Sequence, residues 1–284
     1  NCIAEILTYD SDEIIFVDYN TPNDFPTLPE AISDIITLNA KSKLRILRVR
    51  PEIHQARFKV KTNLKIMEHV ARNLAVRKSN PINRWILSTN TDMIFVPLKS
   101  DSLSELVQNL PKGIYGLPRF EIPETIWESY QRMDPRSTIL KTRELGQELH
   151  LNEVVKDNFQ FDSPGDFQLI ERQDLFDNYG FDERIMNGTH IDSNINKRLA
   201  IKYGSISDAS SLLLGYHCNH TRLITTHHKY NPKMKNSDEF VKEILREHHE
   251  NWIKYYKEQE LEKERKQEIE REKYKKRKQD KKNN

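Results

Sequence analysis

The sequence predicts an α/β fold in which helices pack on a central sheet, and three observations support this prediction. Apolar runs of strand length alternate with stretches of helical spacing over roughly the first 95 residues. The run at 13–17 is uninterrupted and rich in β-branched side chains, which is typical of a strand buried on both faces of a parallel sheet. Acidic residues follow two predicted strands, and α/β folds bind ligands beyond the carboxyl ends of their strands.

The elements follow in order along the chain. The end of an amphipathic helix is predicted at 3–7, before the first strand. Two further strands are predicted at 43–49 and 84–88, and the second of them runs into 90–95. Helices are predicted at 28–38, 61–76 and 102–110; another helix follows Asp192, and a last one begins at about residue 238. The middle, 97–164, is irregular and is expected to carry substrate-specific loops.

Composition bounds the class of protein. The chain has 284 residues, 36% hydrophobic and 31% charged, which excludes collagen-like and low-complexity chains. No apolar window approaches the roughly 18 residues of a membrane span, so we expect a soluble chain. Two cysteines are too few for a disulfide framework or a four-cysteine zinc site, which favours a reducing, cytoplasmic location.

Charge divides the chain into two predicted regions. Lys and Arg number 45 against 43 Asp and Glu, but residues 257–284 alone hold 12 basic and 8 acidic residues. We therefore predict one domain over 1–232 and a charged helical extension over 233–284. A solvated helix is the favoured interpretation of the extension; a peripheral contact with a membrane surface or a partner protein is the alternative, and no nucleic acid is expected.

Four features could carry chemistry. Asp18 closes a strand, where it could bind a ribose or base, or only cap a turn. Asp92, after Asn90, follows another strand and could anchor a metal-bound diphosphate, or lie in an ordinary turn. Asp192 lies near the start of a predicted helix, where it could act as a catalytic base or only cap the helix. A histidine group, His217 and His220 with His227 and His228, could ligate Mn²⁺; a structural zinc site would need four ligands.

Taken together, six short motifs resemble a GT-A fold glycosyltransferase. Val17-Asp18-Tyr19-Asn20-Thr21 resembles the V-D-x-x-S/T segment, Ala71-Arg72-Asn73-Leu74-Ala75 the A-R-N-x-G/A helix, and Asn90-Thr91-Asp92 the D-x-D strand end. The segments 165–170, 179–183 and 192–198 are similar to the G-x-F, G-G-F-D-E and E-D-x-x-x-x-x-R motifs of the galactosyltransferase carboxyl-terminal segment. The similarity runs to about residue 228.

The resemblance implies a GT-A (Rossmann-like) mixed sheet flanked by helices, followed by a long charged helix. It implies a hexosyltransferase that moves a sugar from a nucleotide-sugar, expected to be a UDP-sugar, to a glycan or glycoconjugate acceptor, with inversion, as in polysaccharide biosynthesis. Asp192 would be the general base. The metal, Mn²⁺ or Mg²⁺, would be held by Asp92 and His217, with His220 in reserve. The nucleotide-sugar would contact the following residues: Asp18, Arg72, Asn73, Asn90, Asp92, Gly165 and Asp166.

The sequence also departs from the family's pattern. Asn90 replaces the first Asp of the D-x-D motif, and Ile191 replaces the Glu of the E-D pair. The family's first strand would precede Asn1. These departures favour an alternative function, in which a degenerate, non-catalytic GT-A domain serves a larger protein as a binding or scaffold module.

Overall fold

The computed structural model describes residues 1–146, 151–152, 163–186 and 190–219. The chain divides into two units, Asn1–Lys235 and Asn236–Asn284. The predicted charged extension 233–284 and three of the singled-out histidines, His220, His227 and His228, lie outside the described residues. Within the described part, the chain folds as a mixed α/β structure with mixed sheets flanked by helices, which is compatible with Rossmann-like layering.

Helices and strands alternate through most of the described chain. The helices are α1 (Cys2–Ile6), α2 (Leu28–Ala31), α3 (Leu38–Lys43), α4 (Pro51–Phe58), α5 (Glu68–Lys78), α6 (Leu103–Gln108), α7 (Glu124–Trp127), α8 (Pro135–Leu145), α9 (Arg172–Asp177) and α10 (Ile191–Tyr203). The strands are β1 (Ile14–Tyr19), β2 (Leu44–Val49), β3 (Trp85–Thr89), β4 (Met93–Pro97), β5 (Ile114–Gly116), β6 (Arg119–Ile122), β7 (Leu151–Asn152), β8 (Phe167–Glu171), β9 (Ser207–Asp208) and β10 (Leu213–Cys218).

These strands form three sheets. β1 and β2 pair in parallel, as predicted for the apolar run, but the predicted burial on both faces is wrong, because residues 14–17 are only half-buried. A second sheet has the order β3-β8-β5-β9, with β8 antiparallel to both of its neighbours. The third has the order β4-β10-β6-β7, in which β10 runs antiparallel to β4 and parallel to β6. The chain segment between β3 and β4 therefore leads from one sheet into another.

The predicted helix at 28–38 is not one helix: α2 covers only Leu28–Ala31, a 3-10 turn follows at Ser33–Ile35, and α3 begins at Leu38. Thr27 forms a capping box with Glu30 at the start of α2. Thr37 then caps α3, because its hydroxyl accepts a hydrogen bond from the backbone N–H of Ala40 at 3.2 Å. The second start signal, Thr37, thus places a new helix at the point where the predicted one was expected to end.

The predicted helix at 61–76 begins later than expected, at Glu68. The hydroxyl of Thr62 donates to the carbonyl of Met186 at 2.9 Å and accepts from the N–H of Leu64 at 3.1 Å. These bonds hold the preceding residues outside the helix, although Leu64 and Met67 still pack in the same apolar cluster as the helix.

Packing places the largest apolar cluster between the β4 sheet, α1 and the second sheet. Phe95, Phe167 and Tyr216 are its largest fully buried members, and the Phe95 and Phe167 rings meet edge to face at 5.4 Å. Among the described residues, no helix has the length and apolar character needed to cross a membrane.

Candidate functional site

The turn between β3 and β4 carries Asp92 to the side chain of His217. β4 pairs with β10 so that Met93 lies opposite His217, and the backbone N–H of Cys218 donates to the carbonyl of Asp92 at 2.9 Å. The Oδ2 atom of Asp92 consequently lies 3.2 Å from Nε2 of His217. A carboxylate and an imidazole that are 125 residues apart in sequence meet at one sheet end.

His217 is held in place from its other side by Glu121. β6 pairs in parallel with β10, and this register sets Glu121 opposite His217. The Oε2 atom of Glu121 lies 2.7 Å from Nδ1 of His217, whose side chain is almost fully buried. A carboxylate behind a histidine fixes the ring's orientation and favours the tautomer with its proton on Nδ1, which leaves Nε2 as a ligand atom.

The ring of His217 lies between two carboxylates, those of Glu121 and Asp92. A neutral imidazole has a single N–H and can donate it to only one of Glu121 and Asp92. Glu121 already has Arg119 as a counter-ion, and the side chain of Asp92 is 30% exposed. With the ring proton on Nδ1 toward Glu121, the lone pair of Nε2 and the carboxylate of Asp92 would both face a cation placed between them. An oxygen and an imidazole nitrogen are donors that Mn²⁺ accepts. Asp92 and His217 therefore fit a divalent cation as a pair of ligands.

Two protein ligands fall short of a complete metal cage. Among the described residues, no group of three or more His, Cys, Asp or Glu side chains is arranged to hold a metal ion. Mg²⁺ and Mn²⁺ sites that bind phosphorylated ligands commonly use one or two protein carboxylates and take the remaining oxygens from the phosphates and water. The predicted reserve ligand, His220, is not among the described residues.

Behind the pair, a buried ionic network continues from Glu121 to Asn90. Arg119, itself buried, lies with Nε 3.1 Å from Oε1 of Glu121 and forms an ion pair with Asp166. Asp166 also accepts a hydrogen bond from the amide of Asn90. Alternating charges of this kind stabilise one another at low dielectric and fix the side chains that they join.

Asn90 therefore holds a position in this network, and Arg72 adjoins it. The Oδ1 atom of Asn90 accepts from Nη2 of Arg72 at 3.3 Å. Arg72 also bonds Ser88 on β3 and Nε donates to Glu68 at 2.8 Å, while its guanidinium lies 5.5 Å from the ring of Phe181. The guanidinium therefore lies beside the strand end that precedes Asp92, with Glu68 as its counter-ion.

Asn73, the neighbour of Arg72, faces a different part of the molecule. Its Nδ2 donates to the carbonyl of Phe181 at 2.7 Å and its Oδ1 accepts from the N–H of the same residue at 2.8 Å. Gly180, at φ +65°, passes so close to this amide that a β-carbon there would collide with Asn73. The structure uses Asn73 to fasten the 178–183 turn and does not bring it to Asp92.

Asp192 packs against Gly165, the residue that precedes Asp166 of the ionic network. It lies in the first turn of α10, whose N-cap is His190, so the interpretation of Asp192 as the N-cap is wrong. Its carboxyl group packs directly on Gly165, where any β-carbon would overlap it. The next residue, Asp166, accepts through its carbonyl from Thr89 at 2.6 Å. Gly165 and Asp166 thus join Asp192 to the strand end that precedes Asp92.

Asp18 has contacts of its own at the end of β1. Its Oδ1 accepts from the hydroxyl of Thr21 at 2.8 Å, and its Oδ2 lies 3.4 Å from Nε of Arg48. It is buried at the carboxyl end of β1. The structure records the turn contact, and it shows no contact from Asp18 to Asp92 or Asp192 among the described residues.

Sequence reasoning missed Glu121 and Arg119. Both belong to β6, the short strand Arg119-Phe120-Glu121-Ile122, in which charged and apolar residues alternate. This alternation was the signal in the sequence; the structure adds that all four residues are buried, so both charges require partners. What the sequence could not show is which partners the sheet supplies.

Comparison with known proteins adds no assignment to this geometry: neither a family model nor a curated protein matches the chain.

Proposed function

We propose that the chain is a GT-A glycosyltransferase that uses a divalent metal, Mn²⁺ or Mg²⁺, and transfers a sugar from a nucleotide-sugar, a UDP-sugar by the motif resemblance, to a hydroxyl of a glycan or glycoconjugate. The observation that carries the proposal is the pairing of Asp92 with a His217 that Glu121 orients. The donor motifs alone would allow an ordinary turn at Asp92.

In this proposal, Asp92 and His217 hold the cation, which when bound supplies charge stabilisation for the leaving diphosphate. Arg72, which is ion-paired with Glu68, would turn its guanidinium toward the negative charge that develops at the same strand end. Asp166 and Arg119 keep these groups in position through their own ion pair. The arrangement favours departure of a diphosphate over a neutral leaving group.

Asp192 would accept the proton of the acceptor hydroxyl. Its packing against Gly165 holds the carboxyl group beside Asp166, and a carboxylate so fixed can act as general base in a single displacement with inversion. The acceptor hydroxyl then attacks the anomeric carbon, the bond to the diphosphate oxygen breaks, and the hydroxyl proton passes to Asp192.

A second candidate is a non-catalytic binding module. The observation that favours it is Asn90, whose amide nitrogen and oxygen are both engaged with Asp166 and Arg72. Asn90 cannot replace a metal-binding aspartate while these bonds persist. This candidate predicts nucleotide binding without turnover, or no metal-dependent binding at all.

Calorimetric titration with UDP and Mn²⁺, followed by a screen of UDP-sugar hydrolysis with and without Mn²⁺, tests the proposal. We expect UDP binding that requires Mn²⁺ and is lost in Asp92→Asn. Asp101→Asn is the matched control, because Asp101 is an exposed partner of Arg143. Binding that is the same with and without Mn²⁺, or that survives Asp92→Asn, would contradict the proposed metal site, and binding without hydrolysis or transfer of any donor would favour the second candidate.

A further inference from the structure

The helix α4 has apolar residues on two of its sides. On the inner side, His54 and Phe58 are buried, and the ring of His54 packs against that of Tyr19 at a centroid distance of 5.6 Å. On the outer side, Ile53 is exposed, and Val60, in the turn that follows α4, is 94% exposed. Residues seven positions apart lie on the same face of a helix. Ile53 and Val60 therefore form an outer apolar face, whereas the inner face is already covered by the protein itself.

Basic residues accompany this outer face. Four of them lie in the same stretch of chain and are exposed: Arg57, Lys59, Lys61 and Lys65. None of the four forms an ion pair with a residue that the structure describes. The sequence has no Asp or Glu from Ile53 to Lys65. We call residues 53–65 the basic-apolar segment, because it combines uncompensated positive charge with exposed aliphatic side chains.

The strand that precedes α4 is also basic, but its charges are compensated within the molecule. Arg45 of β2 pairs with Glu13, and Nε of Arg48 lies 3.4 Å from Oδ2 of Asp18. Internal carboxylates thus neutralise these two arginines. The positive charges of the basic-apolar segment have no such partner among the described residues, so they are available to a negatively charged surface outside the protein.

The two properties of the segment together specify the chemistry of its partner. Uncompensated Lys and Arg side chains are attracted to anionic lipid headgroups, and exposed aliphatic side chains gain free energy when they leave water. The surface of an anionic bilayer offers negative charge and, just below it, an apolar phase. A single-stranded nucleic acid is normally bound with the help of aromatic stacking, and the two aromatic rings of this segment, His54 and Phe58, are buried. The segment therefore fits a membrane surface better than a nucleic acid.

We propose that the basic-apolar segment is a membrane-contacting surface, with α4 lying along an anionic bilayer. Its four basic side chains would bind lipid phosphate and carboxylate groups, and Ile53 and Val60 would enter the boundary between headgroups and acyl chains. Long Lys and Arg side chains can reach such groups while their methylene stems lie along apolar surface. The contact is peripheral and reversible. It depends neither on the charged extension at 233–284 nor on the proposed function.

Co-sedimentation of the full chain with lipid vesicles tests the proposal. One set of vesicles is pure phosphatidylcholine, and the other has equal parts of phosphatidylcholine and phosphatidylserine. We expect binding to the mixed vesicles only, and we expect salt to release the protein, because ions screen the headgroup charge. Failure to sediment with the mixed vesicles would overturn the proposal, whatever acidic protein or soluble polyanion the segment binds instead.

A double variant assigns the binding to this segment. Each basic residue near an anionic leaflet contributes about fivefold in affinity, so Lys59→Ala with Lys61→Ala should bind the mixed vesicles about 25-fold more weakly. Lys99→Ala with Lys141→Ala is the matched control, because it removes two exposed lysines outside the segment. An equal loss in both double variants would show that the total charge of the chain drives binding, and it would overturn the assignment to the segment.

A third variant separates a membrane from other polyanions. Val60→Ser keeps every charge and removes an exposed apolar group, so we expect vesicle binding to fall about tenfold and binding to heparin, which has no apolar phase, to stay unchanged. Leu38→Ser is the matched control, because Leu38 is also exposed but lies outside the segment. Vesicle binding that is the same in wild type and Val60→Ser would overturn the insertion of the apolar face, and with it the membrane contact.

Discussion

Glu121 lies 2.7 Å from Nδ1 of His217, and this contact turns Nε2 of the same ring toward Asp92 at 3.2 Å. Three residues from three separate strands or turns thus form one line of carboxylate, imidazole and carboxylate. This arrangement depends on β10 being paired on both edges, with β4, which directly follows Asp92, on one edge and β6, which contains Glu121, on the other.

Glu121→Gln should weaken Mn²⁺-dependent UDP binding by about 10–100-fold, the usual effect of changing a group that orients a metal-binding histidine. The glutamine keeps the size of the side chain but removes the negative charge that favours a proton on Nδ1. Calorimetry at several Mn²⁺ concentrations measures the change. Because Arg119 also contacts Glu121, circular dichroism should accompany the titration, and unchanged Mn²⁺ affinity in a folded variant would contradict the orienting role.

Asp192→Asn should leave Mn²⁺-dependent UDP binding intact and lower sugar transfer by about 10²–10⁴-fold, the range that a general base contributes. Asparagine preserves the packing on Gly165 but cannot accept the proton at neutral pH. Transfer rates and UDP affinity are measured on the same preparation. Transfer at the normal rate would argue for another base or for a retaining mechanism.

The sequence predicted the strands better than it predicted their environment. The run at 13–17 and the stretch at 43–49 become β1 and β2, and their parallel pairing follows the apolar pattern. The half-buried state of β1 could not be predicted, because it reflects pairing on one edge only among the described strands. The apolar pattern of a strand indicates which of its faces are covered, but it does not identify the segment that pairs on each edge.

The sequence singled out some residues of the candidate site and missed the buried residues that hold them in place. Asp92, Asp192 and His217 follow from motif order, whereas Glu121 and Arg119 are joined to them only by strand pairing. Asn73 shows the converse: its motif placed it beside the nucleotide, but its amide fits the turn around Phe181, a contact that spans 108 residues. Long-range side-chain bonds of this kind leave no local pattern.

His69→Leu should stabilise the protein, with an effect that increases as the pH falls. His69 is fully buried, neither ring nitrogen has a hydrogen-bond partner among the described residues, and burial lowers the pKa of the ring. The unfolded chain, with an ordinary histidine pKa of about 6.5, binds the proton more readily. Wild-type stability due to this group is therefore present above about pH 6.5 and is lost as the pH falls.

Urea unfolding of wild type and His69→Leu at pH 7.5, 6.5 and 5.5 measures this difference. The gap in unfolding free energy should widen below pH 6.5 by at most about 1.4 kcal/mol per pH unit, the limit for one proton. A gap that is constant with pH would show that the ring does not remain neutral in the folded protein.

Tyr179→Gly should stabilise the protein by about 0.5–1 kcal/mol. Tyr179 has φ +59° and its side chain is 83% exposed, so the substitution removes backbone strain and few contacts. The left-handed conformation costs a non-glycine residue about 1–2 kcal/mol, and the greater backbone entropy of unfolded glycine offsets part of the gain.

Tyr179→Ala is the matched control, because it removes the aromatic ring and retains the β-carbon that causes the strain. Thermal melts should therefore rise by about 1–4 °C for the glycine variant and stay level or fall for the alanine variant; equal shifts in both would mean that the ring, and not the backbone, sets the stability of this turn.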